Sequence, residues 1–168
     1  MCDGVALTGA PSIEELERSP GFPSMKRLLT GPVAVIECVQ EIPCDVCGSA
    51  CPYNAIEVPS VKSLPQLDEN KCVGCGACIP ICPGQAIFLV DHTYSQEEAL
   101  IAFPYELHPL PPVGAVVEAT DRLGRGVTEG RVVTVLLREG FEGTVVISIA
   151  VPKECAQQVR GIKRWRGG

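Results

Sequence analysis

The stretch KCVGCGACIPICP places Cys72, Cys75, Cys78 and Cys82 at intervals of three, three and four, with Pro83 behind the last. C-x2-C-x2-C-x3-C-P wraps three corners of an iron-sulfur cubane with closely spaced thiolates and sends the fourth thiolate to a second cluster. Thirty-one residues earlier the pattern recurs as Cys44, Cys47, Cys51 and Pro52, but Glu41 stands where the first cysteine should be. The nearest spare thiol is Cys38, three residues before it. By the crossover rule Cys51 joins Cys72, Cys75 and Cys78 in one complete site. Cys82 joins Cys44 and Cys47 in another, which needs a fourth ligand.

Three readings of that ligand stand open. Glu37-Cys38-Val39 aligns with Lys71-Cys72-Val73, so the first run reads as the second with three residues inserted, Ile42 and Pro43 among them, and Cys38 keeping its corner. Glu41 as an oxygen ligand and a three-iron cluster with an empty corner are the others. Sulfur is the preferred ligand of iron in such clusters, which favours Cys38. The expected cofactors are two [4Fe-4S] clusters, the second [3Fe-4S] if no fourth ligand binds. Zinc also binds CxxC pairs, but three cysteines at successive spacings of three before Cys-Pro is not its usual pattern.

Other reactive side chains fit bland roles. Cys2 and Cys155 have no cysteine at ligand spacing and read as free thiols. His92 at a strand end and His108 in a proline-rich stretch read as surface residues. GRGVTEG (124–130) spaces its glycines loosely like a phosphate loop, yet lies between strands with no helix after it, so a turn is expected. No nucleophile, acid-base pair or flavin motif stands out, and no catalytic residue is assigned.

The elements that must carry the cysteines follow from pattern. Ser12 with Glu15 forms a capping box for a short helix, which Pro20, Gly21 and Pro23 end. GPVAVIECV (31–39) reads as a strand feeding the first run. After each run comes one phrase, CPYNAIEV and CPGQAIFLV, read as a short helix near Asn54-Ala55 or Gln85-Ala86 and then a strand. FPYELHPLPP (103–112) reads as a linker. Beyond it GAVVEA, GRVVTVLL and GTVVISIAV form a meander, with turns at DRLGRG and REGFEG; Val145, Ile147, Ile149 and Val151 share one face. Pro152 is expected to open a helix reaching about Val159, completing a small barrel-like module.

The expected fold class is therefore α+β: a dicluster domain with a pseudo-twofold repeat and a small β-rich C-terminal module. The parts are an N-terminal helical extension (1–30), the dicluster domain (31–102), the linker (103–112) and the module with its helix and basic tail (113–168).

Composition limits the partners. The 168 residues are 46% hydrophobic and 20% charged, a globular composition, and carry a formal charge of −6. Thiolate-bound clusters add negative charge, so nucleic acid is an unexpected partner and a basic protein face the natural one. No apolar run of about 20 residues suggests a membrane span. Ten cysteines, seven of them in two closely spaced runs, without a secretory leader, point to a reducing cytoplasmic setting. GIKRWRGG is the one basic stretch, either a solvated tail or a docking tag anchored by Trp165.

Residues 31–95 resemble the two-cluster bacterial ferredoxin domain. The wider pattern GPVAVIECVQEIPC, CGSACPYNAI, LDENKCVGCGACIPICPGQAIFLVD and PYELHPLPPVG is similar to the ferredoxin-like small subunit of multi-subunit flavin-dependent dehydrogenases acting on proline, hydroxyproline and opines, and the likeness runs more weakly to AVPKECAQQVRGIKR. The resemblance implies a subunit that relays electrons between FAD-containing dehydrogenase subunits and an acceptor. The rivals are a freely diffusing ferredoxin and a structural metal-binding protein without a redox role.

Overall fold

A computed structural model describes residues 4–137 and 143–167. Seven strands form one antiparallel sheet: β1 (Val33–Ile36), β4 (Ile87–Asp91), β5 (Glu98–Tyr105), β6 (Val116–Thr120), β7 (Gly126–Leu136), β8 (Val145–Pro152) and β9 (Gly161–Ile162). Their order is β1-β4-β5-β8-β7-β6-β9. A second sheet pairs only β2 (Ile56–Glu57) with β3 (Gln66–Leu67). The large sheet is open, with β1 and β9 at its edges, and the expected barrel is not formed.

Period-two alternation explains how the sheet divides the core. Val33 and Val35 of β1, Phe88 and Val90 of β4, and Ile147 and Ile149 of β8 enter one apolar cluster. Their neighbours Ala34, Ile36, Ile87 and Val146 enter a second cluster, which also holds Cys47 and Cys78. Side chains on opposite faces of a strand are thus both covered, and β1 has no exposed residue. The cysteine loops lie on the second face.

The N-terminal segment bears out the capping box. In α2 (Ile13–Glu17) the Ser12 hydroxyl accepts from the Glu15 N–H at 3.2 Å and the Glu15 carboxylate accepts from the Ser12 N–H at 2.8 Å. Two further short helices, α1 (Val5–Thr8) and α3 (Met25–Leu28), flank it. α3 starts at Ser24, whose hydroxyl caps Arg27 N–H.

Four local expectations are corrected. Residues 103–105 are the end of β5 rather than linker, because Phe103 and Tyr105 are core side chains and β5 pairs with β8 from Glu98 to Tyr105. No helix forms near Asn54 or Gln85; both residues adopt left-handed backbone (φ 50° and 52°), which turns the chain sharply. A helix occurs instead inside the first run only, α4 (Val46–Ala50). After Pro152 the chain makes a three-residue 3-10 turn, Lys153–Cys155, rather than a helix to Val159, since it must bend back to pair β9 with β6.

The meander β6-β7-β8 matches expectation, but of GRGVTEG only Gly124 and Arg125 lie in the turn; Gly126 to Gly130 are the first residues of β7, where they pair with β6. Cys2 and most of the REGFEG turn, residues 138–142, lie outside the described residues. The basic tail is folded back: Trp165 packs against the first core, and its backbone N–H donates to the Tyr105 hydroxyl at 3.1 Å.

Candidate metal centres

The two cysteine runs surround two cavities. One is lined by Cys51, Cys72, Cys75 and Cys78, with Ala34, Tyr53 and Ile56 in its wall. The other is lined by Cys38, Cys44, Cys47 and Cys82, with Ile36, Ile42 and Ile87. Each cavity therefore draws thiols from both runs, and eight of the nine described cysteines face one or the other. Among the described residues no three His, Cys, Asp or Glu side chains converge on a point as ligands of one ion.

The thiol environments agree with this grouping. Burial pushes Cys78 up to about 12, and the nearby Cys72, Cys75 and Cys51 add repulsion. Burial pushes Cys47 up to about 11, with repulsion from Cys82 and Cys44. Cys38 is raised by burial first, then by Cys82 and Cys44. Crowded, half-buried thiols of this kind stay protonated until a cation compensates them, so metal loading must release protons.

Backbone N–H groups meet three of the sulfurs. Ala55 N–H donates to Cys51 Sγ at 3.3 Å and Ala86 N–H to Cys82 Sγ at 3.4 Å. The left-handed residues Asn54 and Gln85 make both bonds possible by turning the amide that follows them back toward the cysteine. Ala34 N–H donates to Cys72 Sγ at 3.4 Å. Such bonds to sulfur are one of the levers that set a cluster's potential.

The strand registers fix how the two runs align. Ile36 pairs with Ile87, and Leu67 pairs with Ile56. The next bonds out also match: Glu37 N–H donates to Ala86 O and Asp68 N–H to Ala55 O, each at 2.8 Å. Ile36 and Leu67 are 31 residues apart, as are Ile56 and Ile87, so no residues are inserted in the first run. The insertion expected around Ile42 and Pro43 is corrected accordingly. Glu41 does occupy the Cys72 position, yet it is exposed and does not line the cavity, whereas Cys38 does.

Backbone chemistry explains the change. In the second run Gly74 has φ +70°, and a Cβ there would lie 2.6 Å from Pro32. Its counterpart 31 residues back is Pro43. Proline is held near φ −65° and cannot follow the left-handed path. The first run must take another route between the strand and Cys44, and Cys38, at the end of β1, is the thiol left facing the cavity.

Beyond the cysteines, a buried ion group with no local motif to announce it adjoins Cys38. Arg122 reaches both oxygens of Glu37, Nε to Oε2 at 2.7 Å and Nη2 to Oε1 at 2.6 Å. Arg160 Nε donates to Glu37 Oε1 at 2.6 Å. The side chains of Glu37 and Arg160 are 4% and 3% exposed. Burial pushes the Glu37 carboxyl up, but the charges and hydrogen bonds of Arg160 and Arg122 outweigh it and hold it below the usual carboxylate range. Burial lowers Arg160 against the pull of Glu37, without bringing a guanidinium near neutrality at ordinary pH.

The histidines lie outside both cavities. His108 is exposed, and its carbonyl accepts from Arg164. His92 is half-buried rather than a surface residue, its Nε2 buried without a partner among the described atoms, and burial lowers its pKa. Cys155 packs partly against the first core, away from either cavity.

Comparison with known proteins supports this chemistry. Residues 65–88 match the 4Fe-4S binding domain family. One component of an ion-translocating oxidoreductase complex of Methanosarcina acetivorans is 46% identical over 48 residues, 29% of this chain and 17% of the relative. An aliphatic sulfonate oxidoreductase, polyferredoxin-like subunit of Pyrococcus furiosus is 31% identical over 83 residues, 49% of this chain and 42% of the relative. A ferredoxin of Streptomyces griseus is 43% identical over 47 residues, 28% of this chain and 43% of the relative. The chain thus spans less than half the length of each. No solved structure matches it. The match over residues 65–88 is to a ferredoxin-type 4Fe-4S binding domain, and these relatives carry the names of a ferredoxin and of oxidoreductase subunits. No helix among the described residues is long and apolar enough to cross a membrane.

Proposed function

We propose that the chain is a non-catalytic relay subunit that passes electrons singly between FAD-containing dehydrogenase subunits and an acceptor, through two iron-sulfur clusters held on a pseudo-twofold dicluster domain. What carries the reading is the pair of four-thiol cavities, each drawing on both cysteine runs. Cys51, Cys72, Cys75 and Cys78 would hold one cluster, and Cys38, Cys44, Cys47 and Cys82 the other. When bound, each supplies a one-electron Fe(II)/Fe(III) couple whose potential the protein sets.

The chain's own residues have three tasks in this reading. The cysteines supply thiolate corners, and the N–H groups of Ala34, Ala55 and Ala86 neutralise part of the charge on sulfur. Ile36, Ile56 and Ile87 keep water from the inner walls. The meander gives an assembly surface, where Val113, Val116 and Leu137 leave 65%, 59% and 70% of their area uncovered. A reducing cytoplasm would keep all eight thiols available.

Anaerobic purification from the native host tests both halves of the proposal. A brown complex containing this chain and FAD-bearing subunits, with about eight irons and eight sulfides per chain, is expected. Stopped-flow absorbance should show flavin reduction by substrate followed by bleaching of the clusters. A chain that purifies alone at its own mass and exchanges electrons by diffusion would replace the subunit reading with the free-ferredoxin one.

A further inference from the structure

We infer that Glu37, clamped by Arg122 and Arg160, is the positioning residue that compensates for the displaced ligand, tying Cys38 to the C-terminal strands. The inference rests on the proposal that Cys38 is a cluster ligand. In the second run the equivalent acid, Asp68, is half-exposed and works locally: its carboxylate accepts from Asn70 N–H at 3.2 Å, its carbonyl accepts from Lys71 and Cys72 N–H, and the chain winds directly to Cys72. In the first run Pro43 removes that route. Glu37 makes no such turn; its carboxylate is carried into the body of the protein.

The bonds around Glu37 reach both unusual partners of that site. Its N–H donates to Ala86 O, while the Ala86 N–H donates to Cys82 Sγ, so the strand end carrying Cys38 is coupled to the crossover cysteine. The cations come from far along the chain. Arg122 lies in the turn between β6 and β7, 85 residues from Glu37, and Arg160 precedes β9, 123 residues from it. Arg160 is itself fixed by the Ala156 and Val159 carbonyls and lies 5.4 Å over the Phe88 ring. A buried carboxylate between two held guanidiniums is a rigid point, and Cys38 is the next residue. The same geometry gives the second site a direct tie to the C-terminal segment, beyond the sheet that both sites share.

Glu37→Gln and the milder Arg122→Gln, whose side chain is 12% exposed in the native protein, test this in the full chain reconstituted anaerobically. Iron content, the paramagnetic signal of an oxidised three-iron centre, the midpoint potential of each cluster and thermal unfolding are read together, with Cys38→Ser in parallel. Expected is a loss of up to about one iron in eight, a three-iron signal as in Cys38→Ser, and a shift in the second site's potential alone. Should Glu37→Gln fail to fold, Arg122→Gln carries the same readouts. If Cys38→Ser loses iron while the clamp variants keep full iron and both potentials, or shift both sites equally, the positioning role is overturned and the ligand reading survives. If Cys38→Ser itself keeps native iron and spectra, both fall.

Discussion

The two cavities set a regular cysteine run beside an irregular one in a single chain. Around Cys72 the geometry is made by neighbours: Gly74 turns with φ +70°, Asp68 caps the entering loop, and Arg27 ties Gly31, Pro32, Glu69 and Cys72 together through their carbonyls. Around Cys38 the glycine is replaced by Pro43, and the support comes from Arg122 and Arg160. When short-range spacing is lost, long-range packing can hold the same kind of thiol set. The irregular site is then bonded directly to residues far along the chain, where the regular one is bonded to its neighbours.

The harshest way to break that contrast is to delete residues 113–168. β8 lies between β5 and β7, and seven of its eight residues are buried. Burying a Val or Ile side chain is worth about 1.5–3 kcal/mol, so losing the strand costs as much as the roughly 5–15 kcal/mol that holds a typical domain together. The truncated chain should be insoluble or lack a cooperative melt, and it should carry neither cluster. A soluble truncation with both clusters intact would show that the strands are dispensable and that Glu37 needs no cation.

Exchanging the crossover cysteines is the next largest effect. Cys51→Ala should damage the site of Cys72, Cys75 and Cys78, and Cys82→Ala that of Cys38, Cys44 and Cys47. Each variant should retain about four of eight irons, and the surviving spectrum should differ between them. In the complex proposed above, flavin reduction by substrate would persist while acceptor reduction falls. If each substitution instead emptied the site of its own run, the grouping by cavity would be wrong.

Much of this was legible before the fold was known, and the exceptions share a cause. Seven of the cavity thiols, the capping box of α2, the meander and the two faces of β8 follow from spacing and period, which are local properties. Residues 103–105 misled because Pro104 and the prolines after it look like linker, while Phe103 and Tyr105 are claimed by a strand pairing with residues some forty positions on. Asn54 and Gln85 looked helical beside alanine, but an amide had to return to sulfur. The insertion reading of Cys38 failed because it aligned letters, where strand register fixes position. Glu37, Arg122 and Arg160 are scattered over 123 residues, and no pattern in one dimension joins them.

A narrower comparison separates Cys38 from Glu41. Cys38→Ser should cost about one iron and create a three-iron signal, whereas Glu41→Ala, at an exposed residue outside the cavity, should leave iron, spectra and melting unchanged. Loss of iron in Glu41→Ala with Cys38→Ser silent would return the carboxylate to the ligand set. The irregular site would then match the regular one in position, though not in donor atom.

The smallest effect expected belongs to the regular site. Arg27 is a cation whose four acceptors are all main-chain carbonyls, and among the described residues it forms no ion pair. Its charge next to the Cys72 carbonyl is therefore not cancelled, unlike the charges that meet on Glu37. A unit charge at roughly 8 Å and an effective dielectric of about 20 is worth about 2 kcal/mol, which for one electron is about 90 mV at most. A positive charge favours the reduced, more negative cluster. Arg27→Gln, which can keep part of the carbonyl bonding, should thus lower the potential of the Cys51, Cys72, Cys75 and Cys78 site while iron content holds and the other site stays put. Spectroelectrochemical titration resolves the two steps. A shift confined to the Cys38 site, or none at either, would mean that the loop's bonds rather than the charge of Arg27 are what the regular run uses.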